Sequence, residues 1–339
     1  MKLPKFEYLA PQSLAQACQV AQLEGPTARI IAGGTDLMQA LKYGLKKPRL
    51  LIDISSLPEL NSISYSRKKG LTVGALVTLR RLATHPAVRD NYPLLVQAAL
   101  SMGSAQLQAM GTIGGNLCQD TCCCYYNLPA MSRQALEPCF KLGGGKCHAV
   151  KASKICWATY CGDMAPALLA LQAELNITDR DGDKPLPLLG LFSGRGENPH
   201  NLQPGQLLKE IHVPPPGGAS GVYLKLRMRQ SIDYPLLGVA VNIVPDPDRG
   251  TMQEVTLALT AVEKSPLLIA APPATFASDD LGHQIAALAE SATKMAHPIA
   301  NTSGYSPRYR RTMVQVYVTQ AISAAMELKK GESACKQLR

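Results

Sequence analysis

Eight of the chain's ten cysteines lie between residues 118 and 161, directly after a glycine-rich turn. Thiolates bind soft metals and iron–sulfur clusters, whereas glycines allow the backbone to approach a ligand closely. The eight are Cys118, Cys122, Cys123, Cys124, Cys139, Cys147, Cys156 and Cys161. The turn that precedes them is Gly111-Thr112-Ile113-Gly114-Gly115-Asn116. We interpret residues 110–165 as the carrier of two redox cofactors, one on each half.

The cysteine spacing alone leaves several kinds of site open. A set of four is separated by 16, 8 and 9 positions: Cys123, Cys139, Cys147 and Cys156. A segment of about 40 residues with few large apolar side chains needs an organiser, for which a metal or cluster is suited. Four thiolates suit a [4Fe–4S] cluster, whereas four-cysteine zinc sites usually contain paired Cys-x2–4-Cys knuckles. A cluster, a structural zinc ion and buried free thiols all stay open at this point, and Cys122 or Cys124 could replace Cys123.

An earlier glycine turn, Ala32-Gly33-Gly34-Thr35-Asp36-Leu37, joins a predicted strand to a predicted helix. Backbone N–H groups at such a junction, together with the positive end of the helix, suit a phosphate group. The turn lacks the lysine of a P-loop and the three glycines of the dinucleotide fingerprint, so a purely structural turn is an equal alternative. Two such turns about 80 residues apart, in adjoining α/β units, indicate a dinucleotide held between subdomains.

Charge and hydropathy narrow the class of protein. The formal net charge of +10 suits an anionic ligand or an acidic partner, although most of the charge is dispersed and is expected to form a solvated basic surface. No nucleic-acid-binding motif is present, so we expect no nucleic acid. No stretch approaches the roughly 18 apolar residues of a membrane span, and the first residues form no apolar signal segment. We expect a cytoplasmic protein with no membrane span, in which the cysteines bind metal rather than form disulfides.

The hydrophobic pattern predicts an α+β protein of two subdomains and a C-terminal domain. Residues 1–57 form the first subdomain, and residues 58–215 form the second, with the cysteine-rich insert at 118–161. Pro214-Pro215-Pro216-Gly217-Gly218 predicts a linker. Residues 219–330 are then predicted to form a three-stranded antiparallel sheet with helices.

Two further motifs follow the glycine turns in a fixed order: Asp163-Met164-Ala165-Pro166-Ala167-Leu168 and Tyr223-Leu224-Lys225-Leu226-Arg227-Met228-Arg229. Together the four motifs resemble the FAD-binding medium subunit of the molybdenum hydroxylases. This family includes xanthine dehydrogenase, carbon monoxide dehydrogenase and 4-hydroxybenzoyl-CoA reductase. The resemblance extends over nearly the whole chain. It implies an FAD-binding fold of the vanillyl-alcohol-oxidase (PCMH) type in two subdomains, followed by a small C-terminal domain.

The resemblance also implies the residues that contact FAD. The first turn should line the pyrophosphate and ribityl chain, and the second should form the opposite wall. Asp163 should accept a hydrogen bond from an FAD hydroxyl, Leu207 or Leu208 should pack on the isoalloxazine, and Lys225 should stabilise reduced flavin. The implied set is Ile31, Ala32, Gly33, Gly34, Thr35, Asp36, Leu37, Met102, Gly111, Thr112, Ile113, Gly114, Gly115, Asn116, Asp163, Leu207, Leu208 and Lys225.

The insert resembles the extra loop of the 4-hydroxybenzoyl-CoA reductase flavin subunit, which carries a [4Fe–4S] cluster on four cysteines. That resemblance implies Cys123, Cys139, Cys147 and Cys156 as the cluster ligands. Four other thiols are interpreted as small buried side chains: Cys118, Cys161, Cys18 and Cys335. His148 is interpreted as structural.

No nucleophile, base and orienting group occur together in the sequence, so we predict no catalytic residue on this chain. The family implies a complex with a molybdopterin-binding large subunit, where substrate reacts, and a [2Fe–2S] small subunit. A reductase would receive electrons from a ferredoxin-like carrier. The enzymatic alternative is the medium subunit of a xanthine- or aldehyde-type dehydrogenase that uses NAD or quinone. The non-enzymatic alternative is a zinc-stapled binding protein that has lost its flavin.

Overall fold

The computed structural model describes residues 3–245, 252–271, 281–301 and 303–329. The first strands of the chain form a three-stranded parallel sheet. The strand order is β1 (Glu7–Leu9), β3 (Leu50–Asp53) and β2 (Ala28–Ile31). Helix α1 (Leu14–Glu24) packs on β2 and β3, and α2 (Leu37–Lys42) follows the first glycine turn. The sequence pattern missed β1 because this short strand is largely exposed and has no apolar alternation.

A five-stranded antiparallel sheet forms the second unit. Its order is β4 (Ile63–Ser66), β5 (Gly70–Gly74), β8 (Leu207–Val213), β6 (Glu174–Asp179) and β7 (Gly182–Pro187). Seven short helices accompany it within the described residues: α3 (Leu79–Thr84), α4 (Pro86–Asn91), α5 (Pro93–Ser101), α6 (Ala105–Met110), α7 (Ile113–Leu117), α8 (Ala130–Gln134) and α9 (Met164–Ala170). All seven residues of α9 are buried, which places this helix at the centre of the largest hydrophobic core.

The C-terminal sheet has four strands rather than the three that we predicted. Its order is β12 (Leu267–Ala271), β11 (Met252–Thr260), β10 (Leu237–Pro245) and β9 (Ser220–Leu226), all antiparallel. The missed strand is β12. Its sequence, Leu-Leu-Ile-Ala-Ala, is a short apolar run without alternation, which a hydrophobic pattern cannot distinguish from other buried segments.

Both faces of this sheet are covered. Successive residues of a strand point to opposite faces, so Tyr223, Ala240 and Ala258 join the central core beside α5 and α9. Val239 and Val241 point the other way, into a core closed by α10 (Leu281–Met295) and α11 (Pro307–Lys329). The four-stranded sheet therefore connects the central core to the terminal helices.

None of the helices in the described part of the chain is both long enough and apolar enough to cross a membrane. The domain boundaries stay predictions, although the strands group into three sheets in the predicted order along the chain.

Candidate functional site

The two glycine turns meet backbone to backbone. A Cβ atom on Gly33 would lie 1.8 Å from the carbonyl oxygen of Met110, so only glycine permits this contact. A Cβ atom on Gly111 would lie 3.5 Å from Thr35 Oγ1. Gly34 adopts a φ of +69°, in the left-handed region that glycine tolerates without cost. Two turns that lie far apart in the sequence thus form one continuous surface.

Neighbouring backbone groups hold the second turn in place. Thr112 caps α7, and its Oγ1 accepts a hydrogen bond of 3.0 Å from the Gly115 N–H. The Gly114 N–H donates to the Ala75 carbonyl at 2.9 Å, and the Ile113 N–H donates to the Val77 carbonyl at the same distance. Because these acceptors directly follow β5, the five-stranded sheet positions the turn.

Two adjoining cavities border this surface. One of 750 Å³ is lined by residues 31–37, by Gly114 and by Leu207 and Leu208. The other, of 330 Å³, is lined by a second group of predicted residues: Met102, Gly111, Asn116 and Asp163. Thr35, Asp36, Thr112 and Gly115 line both. Each volume falls within the roughly 300–1,000 Å³ of typical ligand pockets.

Two of the predicted flavin contacts do not line these cavities. Ile113 is fully buried and points into the central core, since it lies on the inner side of α7. Lys225 forms a buried ion pair instead, with its Nζ 3.0 Å from Asp163 Oδ2. Every other residue of the predicted set lines at least one cavity.

Asp163 is held by two donors from β9. The Tyr223 hydroxyl donates to its Oδ1 at 2.7 Å, and Lys225 binds the other oxygen. Only 3% of Asp163 is exposed, and burial beside this carboxylate raises the pKa of Tyr223 well above its ordinary value. Tyr223 therefore remains a donor, and the carboxylate keeps further lone pairs for a ligand hydroxyl.

Sequence reasoning missed several polar residues of the larger cavity. They are Lys46, Asp120, Arg195 and His200, all of which lie in loops without a recognisable motif. Burial lowers the pKa of His200 to about 4, so the ring is neutral near pH 7. Its Nε2 lies 3.2 Å from the Leu117 carbonyl oxygen, which it reaches as a hydrogen-bond donor. Burial also raises the pKa of Asp36.

The four predicted cluster ligands do not form a metal-binding cage. Within the described residues, no group of three or more His, Cys, Asp or Glu side chains is arranged to hold a metal ion. Cys139 and Cys156 are buried, whereas Cys123 and Cys147 are partly buried. Cys18 is buried as expected, and Cys335 lies outside the described residues.

Backbone amides nevertheless point at three of these sulfurs. The Tyr126 N–H donates to Cys123 Sγ at 3.2 Å, and the Val150 N–H donates to Cys147 Sγ at 3.4 Å. The Ala158 N–H donates to Cys156 Sγ at 3.5 Å. Such hydrogen bonds favour a thiolate and tune iron–sulfur sites.

Cys122 has a different environment from the predicted ligands. Its Sγ lies 3.7 Å from that of Cys161, and both thiols are free.

Burial raises the pKa of the predicted ligand Cys123 to about 12, so its thiol would have to lose a proton as a metal binds.

Known proteins share this architecture. Residues 4–216 match the family described as the FAD binding domain in molybdopterin dehydrogenase. The chain is 34% identical over 320 residues to the aldehyde oxidoreductase FAD-binding subunit PaoB of Escherichia coli strain K12, covering 92% of this chain and 96% of that protein. It is 27% identical over 327 residues to the carbon monoxide dehydrogenase medium chain of Hydrogenophaga pseudoflava, covering 95% and 97%.

A solved structure shows the same fold. Carbon monoxide dehydrogenase from Hydrogenophaga pseudoflava, in a form that lacks the Mo-pyranopterin moiety of its cofactor, superposes with a TM-score of 0.77. The identity is 25%, and the match covers 96% of this chain and 99% of that one.

The chain therefore belongs to the FAD-binding domain family of the molybdopterin dehydrogenases. It is an FAD-binding medium subunit of the molybdenum hydroxylase type, and so a subunit of an oxidoreductase.

Proposed function

We propose that this chain transfers electrons within a complex of the 4-hydroxybenzoyl-CoA reductase type. It would hold FAD in the two joined cavities and a [4Fe–4S] cluster in the insert. The observation that carries the flavin part is the contact between Gly33 and Met110, which joins the two glycine turns along one cavity wall.

The cavity residues fit FAD by their chemistry. Backbone N–H groups of the first turn suit the pyrophosphate, because its glycines place no side chain between them and the ligand. The N–H groups of Ile113, Gly114 and Gly115 already donate within the protein, so the second turn supplies a close-packed wall instead. Asp163, fixed by Tyr223 and Lys225, offers lone pairs to a ribityl or ribose hydroxyl. Bound FAD would supply the redox chemistry, since flavin exchanges either one or two electrons.

The cluster is supported by the cysteine spacing and by the amides directed at Cys123, Cys147 and Cys156. The four sulfurs are not grouped as metal ligands in the structure. The amide contact also favours Cys123 over Cys122, whose sulfur contacts the Cys161 thiol instead.

The substrate reaction would take place on partner chains. We propose a molybdopterin-binding large subunit and a [2Fe–2S] small subunit, with a ferredoxin-like carrier as external donor, in the cytoplasm. The net charge of +10 would favour an acidic carrier.

A second candidate is an aldehyde-type dehydrogenase with NAD or quinone as acceptor. It is favoured by the 34% identity to an aldehyde oxidoreductase subunit. Activity assays of the assembled complex separate the two candidates. Oxidation of aldehydes with an added acceptor would support the second, and reduction of 4-hydroxybenzoyl-CoA by reduced ferredoxin would support the first.

Cofactor content is the direct test on this chain. Iron, acid-labile sulfide, zinc and flavin would be measured on anaerobically purified protein, on Cys139→Ser, and on Cys118→Ser as the matched control. We expect about four iron and four sulfide per chain in the wild type and the control, with iron lost in Cys139→Ser. One FAD with zinc or no metal would refute the cluster and leave an ordinary medium subunit.

A further inference from the structure

Lys141 is a buried lysine in the cysteine insert, with a side chain only 1% exposed. Its Nζ donates to Asp120 Oδ1 at 2.6 Å, to Thr121 Oγ1 at 2.6 Å and to the Gly196 carbonyl at 2.9 Å. These three acceptors use all three hydrogens of the ammonium group. The Nζ also lies 5.0 Å from the centre of the Tyr126 ring, within reach of a cation–π interaction. The lysine is therefore fully satisfied and fixed in one position.

Asp120 connects Lys141 to the flavin cavity. Its second oxygen, Oδ2, lies 2.9 Å from Lys46 Nζ, and its backbone N–H donates to Asp36 Oδ2 at 3.4 Å. Asp36, Lys46 and Asp120 all line the 750 Å³ cavity. One carboxylate thus receives an ammonium group from the insert on one side and an ammonium group from the cavity wall on the other.

The charges explain why this arrangement matters for a ligand. Burial alone would raise the pKa of Asp120, but Lys141 and Lys46 lower it, so the group is a carboxylate near pH 7. Two ammonium groups share this one carboxylate, and the side chain of Lys46 is 26% exposed. Without Lys141, Asp120 Oδ1 would lose its buried ammonium donor and keep only the Thr121 N–H, so the loop that orients Lys46 and contacts Asp36 would be held less firmly.

We propose that Lys141 is a positioning residue of the flavin site. It acts through Asp120 to hold Lys46 and Asp36 against the cavity, and so couples the cysteine insert to flavin affinity. The ligand class is the anionic dinucleotide that the family binds, so the inference rests on the flavin function. Lys46 is the cation that faces the ligand, and Lys141 does not touch it.

The test compares FAD affinity with stability in the full chain. FAD would be titrated into flavin-free wild type, Lys141→Met, Asp120→Asn and the double variant, well below the lowest melting temperature of the set. Lys151→Met is the matched control, because Lys151 is an exposed lysine of the same insert.

We expect Lys141→Met and Asp120→Asn each to raise the Kd for FAD at least tenfold. The Kd of the double variant should be no higher than that of the single variant that binds FAD less tightly, since both changes break one network. Lys151→Met should match the wild type.

A merely structural lysine would lower the melting temperature of the flavin-free chain and leave the Kd within about twofold; that result would overturn the proposal. If Lys141→Met does not fold, Lys46→Met is measured instead. A tenfold loss of FAD affinity in that variant would support the proposal, and an unchanged FAD affinity would contradict it. Failure of the wild type to bind FAD would instead refute the flavin function itself.

Discussion

The two joined cavities proposed to hold FAD and the cysteine insert are each stabilised by a different kind of contact. In the cavity, backbone packs on backbone, with Gly33 against Met110 and the Gly114 amide on the Ala75 carbonyl. In the insert, buried cations hold the loops: Lys141 binds Asp120, and Arg133 donates to the carbonyl oxygens of Tyr126 and Leu128. The first site is therefore shaped before any ligand binds, whereas the second has fixed loops but dispersed thiols.

This difference indicates how much each region would have to rearrange to bind its proposed ligand. The cavity would need only FAD to complete the proposed site, since its walls follow from the sheets and the glycines. The thiols of the insert would have to move together to surround the proposed cluster, although backbone amides already point at three of them. Four predictions, from the largest expected effect to the smallest, test this contrast.

Gly33→Val should abolish measurable FAD binding, because its Cβ would collide with the Met110 carbonyl and force the two turns apart. The matched control is Gly145→Val in the insert, where a Cβ meets no atom within 4 Å. Fluorescence titration with FAD measures both. Equal affinities for the two variants would contradict the claim that the cavity is built by the contact between the turns.

Asp163→Asn should lower the free energy of unfolding by about 3–5 kcal/mol, because it leaves the Lys225 ammonium buried without its counter-ion. Urea unfolding measures the change. The double variant Asp163→Asn/Lys225→Met should recover most of the loss, since both charges are then removed. A loss well below 1 kcal/mol in the single variant would show that this ion pair does not join β9 to the flavin cavity.

Arg133→Met should loosen the insert at a cost of about 1–3 kcal/mol, because buried carbonyl oxygens lose their donor. The loss should be local. Hydrogen exchange should speed up within residues 118–161 and at Tyr43 and Gly44, whose carbonyl oxygens Arg133 also binds. Protection of β2 and β3 should stay as in the wild type. Uniform loss of protection across the chain would argue against a separately held insert.

Thr112→Ala should cost about 1 kcal/mol, because it removes the cap that accepts the Gly115 N–H. Flavin affinity should fall less than tenfold, since the backbone hydrogen bonds at Ile113 and Gly114 remain. Thermal unfolding and FAD titration measure the two effects. Complete loss of flavin binding here would mean that the side chain, not the backbone, shapes the second turn.

The sequence pattern was most informative where structure is local. The first glycine turn was predictable because it lies between a strand and a helix, and the main strands were predictable by their apolar pattern. Residues 113–116 of the second turn form part of helix α7 instead. β1 and β12 were missed because a largely exposed strand of three residues and an apolar strand of five carry no periodic signal. Lys46, Asp120 and His200 could not be found because loop residues reach the cavity only through tertiary packing. The roles of Tyr223 and Lys225 at Asp163 depend on pairing across about 60 residues, which no spacing rule encodes.

One measurement tests the central claim most directly: the FAD content of the purified wild-type chain beside that of Gly33→Val and Gly145→Val. We predict about one FAD per chain in the wild type and in Gly145→Val, and none in Gly33→Val. Equal FAD in all three proteins, or no FAD in the wild type, would contradict the claim that the joined glycine turns form the flavin site.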